Sequence, residues 1–160
     1  VVEEEVCSGI EEIMIVVARG KEMIMIHFDE TPEIDEVLRQ KEDKSLLALS
    51  KSISSKAKIF YVRQGLSKGL GHAIYCAKEF VGKEPFAVLL PDDIMDSNVP
   101  VVKQLIDSYK RHKGSILGVQ PVPKAELSKY GIIAGDRIEG GDMLVSGMGE
   151  KPLPGEEPSD

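Results

Sequence analysis

Apolar and polar positions along this chain change period several times, and each change predicts an element. VVEEEVCS at 1–8, followed by Gly9, reads as the last turns of a helix with a glycine stop. EEIMIVVA at 11–18 is a short β-branched-rich run and predicts a buried strand. From Gly20 to Phe28, the residues Met23, Ile24, Met25, Ile26 and Phe28 form an apolar patch in which a short helix is expected. Thr31-Pro32 opens a long helix, with Thr31 as the cap and Pro32 in the first helical position. Glu33, Asp35 and Glu36 suit its positive end, and Ile34, Val37, Leu38, Leu46, Leu49 and Ile53 keep helical spacing to about residue 54.

AKIFYVR at 57–63 predicts a second strand, HAIYCAKEF at 72–80 a helix ended by Gly82, and PFAVLL at 85–90 a third strand. VPVVKQLIDSYKRHK at 99–113 is an amphipathic helix whose C-terminal half is basic, and SILGVQ at 115–120 reads as one more strand. The order α-β-α-α-β-α-β-α-β predicts an α/β fold, a doubly wound, mostly parallel, Rossmann-like sheet with helices on both faces. After residue 121 the texture changes: PVPKAELSKYG holds a short helical piece, and GIIAGDRIEGGDMLVSG predicts a hairpin around Gly140-Gly141.

Composition narrows the function classes. At 160 residues the chain has the size of one ordinary domain, and 42% hydrophobic with 29% charged residues is a globular rather than a disordered composition. A net charge of -7 argues against nucleic-acid binding, which needs surplus Lys and Arg. The longest apolar runs, such as IMIVVA at 13–18, fall far short of the ~18 residues that span a bilayer, so no membrane association is expected. No secretory leader pattern opens the chain, and a cytoplasmic protein is expected. Cys7 and Cys76 cannot build a disulfide framework and are expected as buried free thiols. The opening VVEEE and the closing PGEEPSD both look like cuts through a longer protein.

The candidate chemistry sits in two places. RQGLSKGLGHA at 63–73 lies between a predicted strand and a predicted helix, where N–H groups can receive polar or anionic ligand groups. Lys and Ser or Thr do not follow Gly69 or Gly71 as a P-loop requires, and Ile74 stands where a dinucleotide fingerprint needs Gly or Ala, so a tight connection is an equal reading. Asp92 and Asp93 follow the apolar run, at the strand end where ligands of open α/β sheets bind, and their hard oxygens suit Mg²⁺. The rival reading has one Asp capping the next helix and the other solvated. No histidine is read as a catalyst: His112 is expected to be solvated, His27 to pack locally, and His72 to shape or cap the glycine loop. Two Cys and three His show no zinc-ligand spacing.

RQGLSKGLGHA, FAVLLPDD, SKYGII and the terminal GEKP, in this order and spacing, resemble the bacterial UTP–glucose-1-phosphate uridylyltransferases (UDP-glucose pyrophosphorylases) of the sugar-phosphate nucleotidyltransferase family. The sister thymidylyltransferases carry a different loop. The resemblance implies Mg²⁺-dependent transfer of UMP from UTP to glucose 1-phosphate, giving UDP-glucose and pyrophosphate. It implies that Gln64 reads the uracil edge, that Gly69 admits the nucleoside to the backbone, and that Asp92 binds magnesium. It further implies that Gly131 lies against the sugar, Glu150 holds glucose hydroxyls and Lys151 the phosphate, with Asp92 and Lys151 as the catalytic pair. The chain then corresponds to the central part of a single catalytic domain. The family's N-terminal nucleotide-binding loop and its C-terminal part, with helices used in dimers or tetramers, are absent from it. Gly149 departs from an apolar family preference, and ARGKEMIMI at 18–26 is more apolar than the family pattern.

The implied chemistry needs no strong base, because the glucose 1-phosphate oxygen is already ionised at neutral pH. The obstacle is repulsion between anions, which a cation at Asp92 and the Lys151 ammonium would offset while positioning does the rest. Two other classes stay in view. A metal-dependent glycosyltransferase using a UDP-sugar also places acidic residues after a strand, as in DDIMD at 92–96, and a non-catalytic nucleotide-binding fragment needs only the loop.

Overall fold

The computed structural model describes residues 1–29, 32–41, 45–46, 57–153, 155–156 and 158. The chain falls into two compact units, Val1–Gln104 and Leu105–Asp160.

The first unit is built on one parallel strand pair. β1 (Glu12–Ala18) and β2 (Lys58–Gln64) pair from Glu12 opposite Lys58 to Ala18 opposite Gln64. Ile13 and Val17 of β1 are its most buried strand side chains. Before β1 lies α1 (Val2–Cys7), where Ser8 Oγ donates to the Glu4 carbonyl at 2.7 Å and Gly9 turns the chain with φ 89°. Between the strands come α2 (Met23–Phe28) and α3 (Pro32–Gln40). The Thr31 cap and the helical positions Leu49 and Ile53 lie outside the described residues.

Successive residues of a strand point to opposite faces, and β2 meets a different helix on each. Tyr61 Oη donates to the Met25 carbonyl of α2 at 3.4 Å. Phe60 packs on Phe80 with ring centroids 4.8 Å apart. Phe80 belongs to the second of two short helices, α4 (Leu70–Cys76) and α5 (Lys78–Val81), that stand where one helix over 72–80 is expected. Ala77 divides them, and Gly82 stops the second with φ 62°. α4 packs against both strands. α6 (Val101–His112) opens with Glu4 Oε1 accepting the Val102 N–H at 3.2 Å, a carboxylate satisfying a free donor at a positive helix end.

Two predicted strands are corrected. Residues 85–90 and 115–120 form no ladder, so the expected run of parallel strands reduces to a single pair among the described residues. A parallel strand exists only where a neighbour presents its own N–H and C=O groups. Neither run has such a neighbour among the described residues, and Phe86 and Val119 are more than half exposed, at 59% and 58%. The thiols also differ from expectation: both are free, but Cys7 is exposed and Cys76 only half-buried.

The second unit is built on the predicted hairpin. A 3₁₀ helix (Lys124–Lys129) leads into β3 (Gly131–Arg137), which pairs antiparallel with β4 (Met143–Glu150). Leu127 and Ile132 are among its buried apolar residues. Gly140 and Gly141 take φ of 88° and 87°, as a tight turn between twisted strands demands. The ladder carries an irregularity at Ala134/Gly135, where a Cβ on Gly135 would collide with the Leu144 carbonyl oxygen. Asp142, just past the turn, accepts from Ser108 Oγ (3.0 Å), Arg111 Nη2 (2.7 Å) and His112 Nε2 (2.8 Å). These donors, Arg111 foremost, lower its pKa to about 2. His112, expected to be solvated, is therefore paired.

Candidate functional site

The glycine loop is organised by one side chain. Gln64 ends β2 and is 92% buried in complement to its 8% exposure. Its Nε2 donates to the Gly69 carbonyl at 3.2 Å and lies 3.0 Å from His72 Nδ1. The carboxamide thus spans the turn and ties the strand end to the first turn of α4. Gly69 is the residue before that helix, with φ 90° and ψ 177°, a conformation reserved for glycine. Its carbonyl also accepts the Ala73 N–H at 3.2 Å. No described atom lies within 4 Å of the place a Cβ would occupy, so the backbone at Gly69 is open to approach.

Asp92 and Asp93 are exposed on the turn that follows residues 85–90, where the Asp93 N–H donates to the Leu90 carbonyl at 3.2 Å. Among the described residues no group of three or more His, Cys, Asp or Glu side chains could hold a metal ion. A cation there would rest on one or two carboxylates and complete its shell with water and ligand oxygens, which is the habit of Mg²⁺. A cleft of about 1430 Å³ in the first unit runs along β1 and is lined by Leu70 and Pro91, the sequence neighbours of Gly69 and Asp92. Glu5 also lines it; burial raises the pKa of this carboxyl, and its Oε2 has no hydrogen-bond partner among the described residues.

The remaining site residues meet in the second unit. The β3–β4 register sets Gly131 opposite Glu150, so close that a Cβ on Gly131 would stand 3.3 Å from Glu150 Oε2. Lys151 follows with φ 45°, a left-handed backbone rare for a residue with a side chain, and its N–H donates to the Tyr130 carbonyl at 3.0 Å. Lys151 Nζ lies 3.8 Å from Glu150 Oε1, both side chains being exposed. The hairpin therefore gathers Gly131, Glu150 and Lys151, and the glycine loop gathers Gln64, Gly69 and His72. Sequence reasoning left His72 as a loop-shaping residue without a partner; the signal available was its position three residues after the glycine of the turn.

The nucleotidyl transferase family model matches residues 1–158. The chain belongs to this family. It is 46% identical over 159 residues to the UTP–glucose-1-phosphate uridylyltransferase of Bacillus subtilis (strain 168), covering 99% of this chain and 54% of that protein. A Staphylococcus epidermidis protein of the same name is also 46% identical, with 55% of its length covered. Among solved structures, a UTP-bound UGPase from Acinetobacter baumannii superposes with a TM-score of 0.90 at 35% identity, over 99% of this chain and 57% of that one. UDP-glucose pyrophosphorylase without ligand gives 0.89 at 37% identity, and the complex with UDP-glucose 0.82 at 35%, over 59% and 58% of those chains. The chain thus spans about half the length of the relatives it matches. These likenesses carry an α/β, Rossmann-like fold for the nucleotidyl transferase chain.

Proposed function

We propose that this chain is the central part of the single catalytic domain of a UTP–glucose-1-phosphate uridylyltransferase, which forms UDP-glucose and pyrophosphate. The observation that carries the reading is the 46% identity over 99% of the chain to uridylyltransferases. The Gln64–Gly69 arrangement adds to it, because it places a carboxamide at the edge of an open backbone. In the complete domain the parallel pair β1–β2 belongs to a doubly wound sheet, and the protein is a cytoplasmic homo-oligomer, a dimer or a tetramer.

Each residue has a task that its chemistry suits. The Gln64 carbonyl accepts the uracil N3–H, and Gly69 lets the nucleoside lie on the backbone. Gly131 gives the sugar a surface without a side chain, beside the Glu150 carboxylate that accepts from glucose hydroxyls. Lys151 carries its ammonium to the phosphate and holds the attacking oxygen toward the α-phosphorus of UTP. Asp92 would hold Mg²⁺, which when bound neutralises charge on the phosphoryl and pyrophosphate oxygens.

Pyrophosphate release from UTP plus glucose 1-phosphate by the full-length protein tests the reading. The expected result is magnesium-dependent release, reduced at least about a hundredfold by Asp92→Ala, the scale of losing one preorganised electrostatic contact. Consumption of UDP-glucose only with an acceptor would replace it by a glycosyltransferase. Uridine-nucleotide binding without release would leave a non-catalytic module.

A further inference from the structure

We infer that His72 is a positioning residue for nucleobase selection. Together with the Gly69 carbonyl it uses both N–H bonds of the Gln64 carboxamide, leaving Oε1 as the one group Gln64 offers a base. The chemistry of the partners fixes the arrangement. A backbone carbonyl only accepts, so the Gln64 atom 3.2 Å from Gly69 O is the amide nitrogen. The same nitrogen lies 3.0 Å from His72 Nδ1, which must then present a lone pair and leave the ring proton on Nε2. Cys76 Sγ stands 3.9 Å from that Nδ1, and a thiol there is a weak donor that favours the same tautomer. Among the described residues Oε1 accepts no hydrogen bond.

The consequence for selection rests on the proposed uridylyl-transfer reading. Uracil presents a donor at N3, whereas cytosine presents a lone pair there. A carboxamide held with its oxygen outward welcomes the first and repels the second. If it were free to turn over, it could offer an N–H to cytosine at the same place. Gln64 supplies the contact, and His72 decides which end of the amide makes it.

Two measurements test this on the protein, alongside the variants His72→Leu and His72→Asn. Leu removes the acceptor, whereas the Asn side-chain oxygen can stand near the place of Nδ1. Nitrogen NMR of the ligand-free protein should show His72 protonated on Nε2 only, and two protected Gln64 side-chain N–H signals; a proton on Nδ1 would overturn the inference without touching the enzyme reading. The ratio of UTP to CTP affinity should fall roughly 2- to 12-fold in His72→Leu, the span of one neutral hydrogen bond. In His72→Asn it should stay near the wild-type value. An unchanged ratio in a folded His72→Leu also overturns it. Wild-type protein with no preference for UTP over CTP would instead sink the uridylyl reading and, with it, the selective role of His72. If His72→Leu does not fold, the tautomer of His72 still decides.

Discussion

Gly69→Ala and Gly71→Ala differ by two positions yet should move stability in opposite directions. Neither site meets a described atom within 4 Å of an added Cβ, so steric collision is excluded as the cause of either effect. What separates them is the backbone. Gly69 holds φ 90° and ψ 177°, which costs a residue with a Cβ about 1–3 kcal/mol. Rotating to a relaxed φ would swing its carbonyl away from Gln64 Nε2 and the Ala73 N–H. Losing those bonds costs about 0.5–1.5 kcal/mol each, so relaxation brings no relief. Gly71 lies inside α4 with ordinary helical geometry, where Ala is favoured by about 0.5–1 kcal/mol. The two variants should therefore be separated by about 1.5–4 kcal/mol. Urea unfolding read from the parallel-sheet unit measures the difference, with unchanged slopes assigning the shift in midpoint to stability. A Gly69→Ala protein as stable as wild type, or a Gly71→Ala protein as damaged as Gly69→Ala, would refute the reasoning.

Gly135→Ala should disrupt the hairpin, because its Cβ meets backbone atoms of Leu144 and Val145 that cannot step aside; a cost of about 1–3 kcal/mol, seen as a lowered Tm and lost cross-strand NMR contacts, is expected. Burial raises the Glu5 pKa above its ordinary 4.5, so the native state binds more protons than the unfolded chain between the two values, and stability falls as pH rises through that window. Glu5→Gln should accordingly stabilise at neutral pH, with the gain vanishing below the ordinary carboxylate value; urea midpoints across pH check both parts. Asp142 has the opposite sign: its pKa is lowered from 3.8 to about 2, so its contribution is present above 3.8 and lost as pH falls toward 2. Asp142→Asn should flatten the acid unfolding of the second unit over that interval, and an unchanged acid profile would refute the role of the Arg111–His112–Ser108 contact.

Much of this architecture was legible in the chain, for identifiable reasons. IMIVVA and KIFYVR are β-branched and aromatic runs that fit a pleated, half-buried surface, and they do form β1 and β2. The adjacent glycines 140 and 141 specify a turn locally, so the hairpin followed. FAVLL is wholly apolar, like residues 13–18 of β1, but forms no ladder, because apolarity says that a segment seeks burial and not that a neighbour stands beside it. The single helix expected over 72–80 broke at Ala77, a position with no sequence signal of a break. Within the candidate site, the approach of Gly131 to Glu150 depends on strand register, and the His72–Gln64 contact on how a strand end meets a helix. Neither is written in periodicity. His112 looked solvated because its helix end is basic, while its anion waits on a hairpin 30 residues away.

The irregularity at Ala134/Gly135 reaches further than the two residues that make it. From Arg137–Met143 to Gly135–Val145 the hairpin counts evenly, but Ala134 then faces Gly147, and Ser146 is passed over. That single skipped residue brings Glu150 rather than Gly149 abreast of Gly131. Were the ladder even throughout, Gly149 would occupy the rung opposite Gly131 and the Glu150 carboxylate would fall beyond it. Ser146 works as a spacer, then, setting the phase in which an acid arrives at its post.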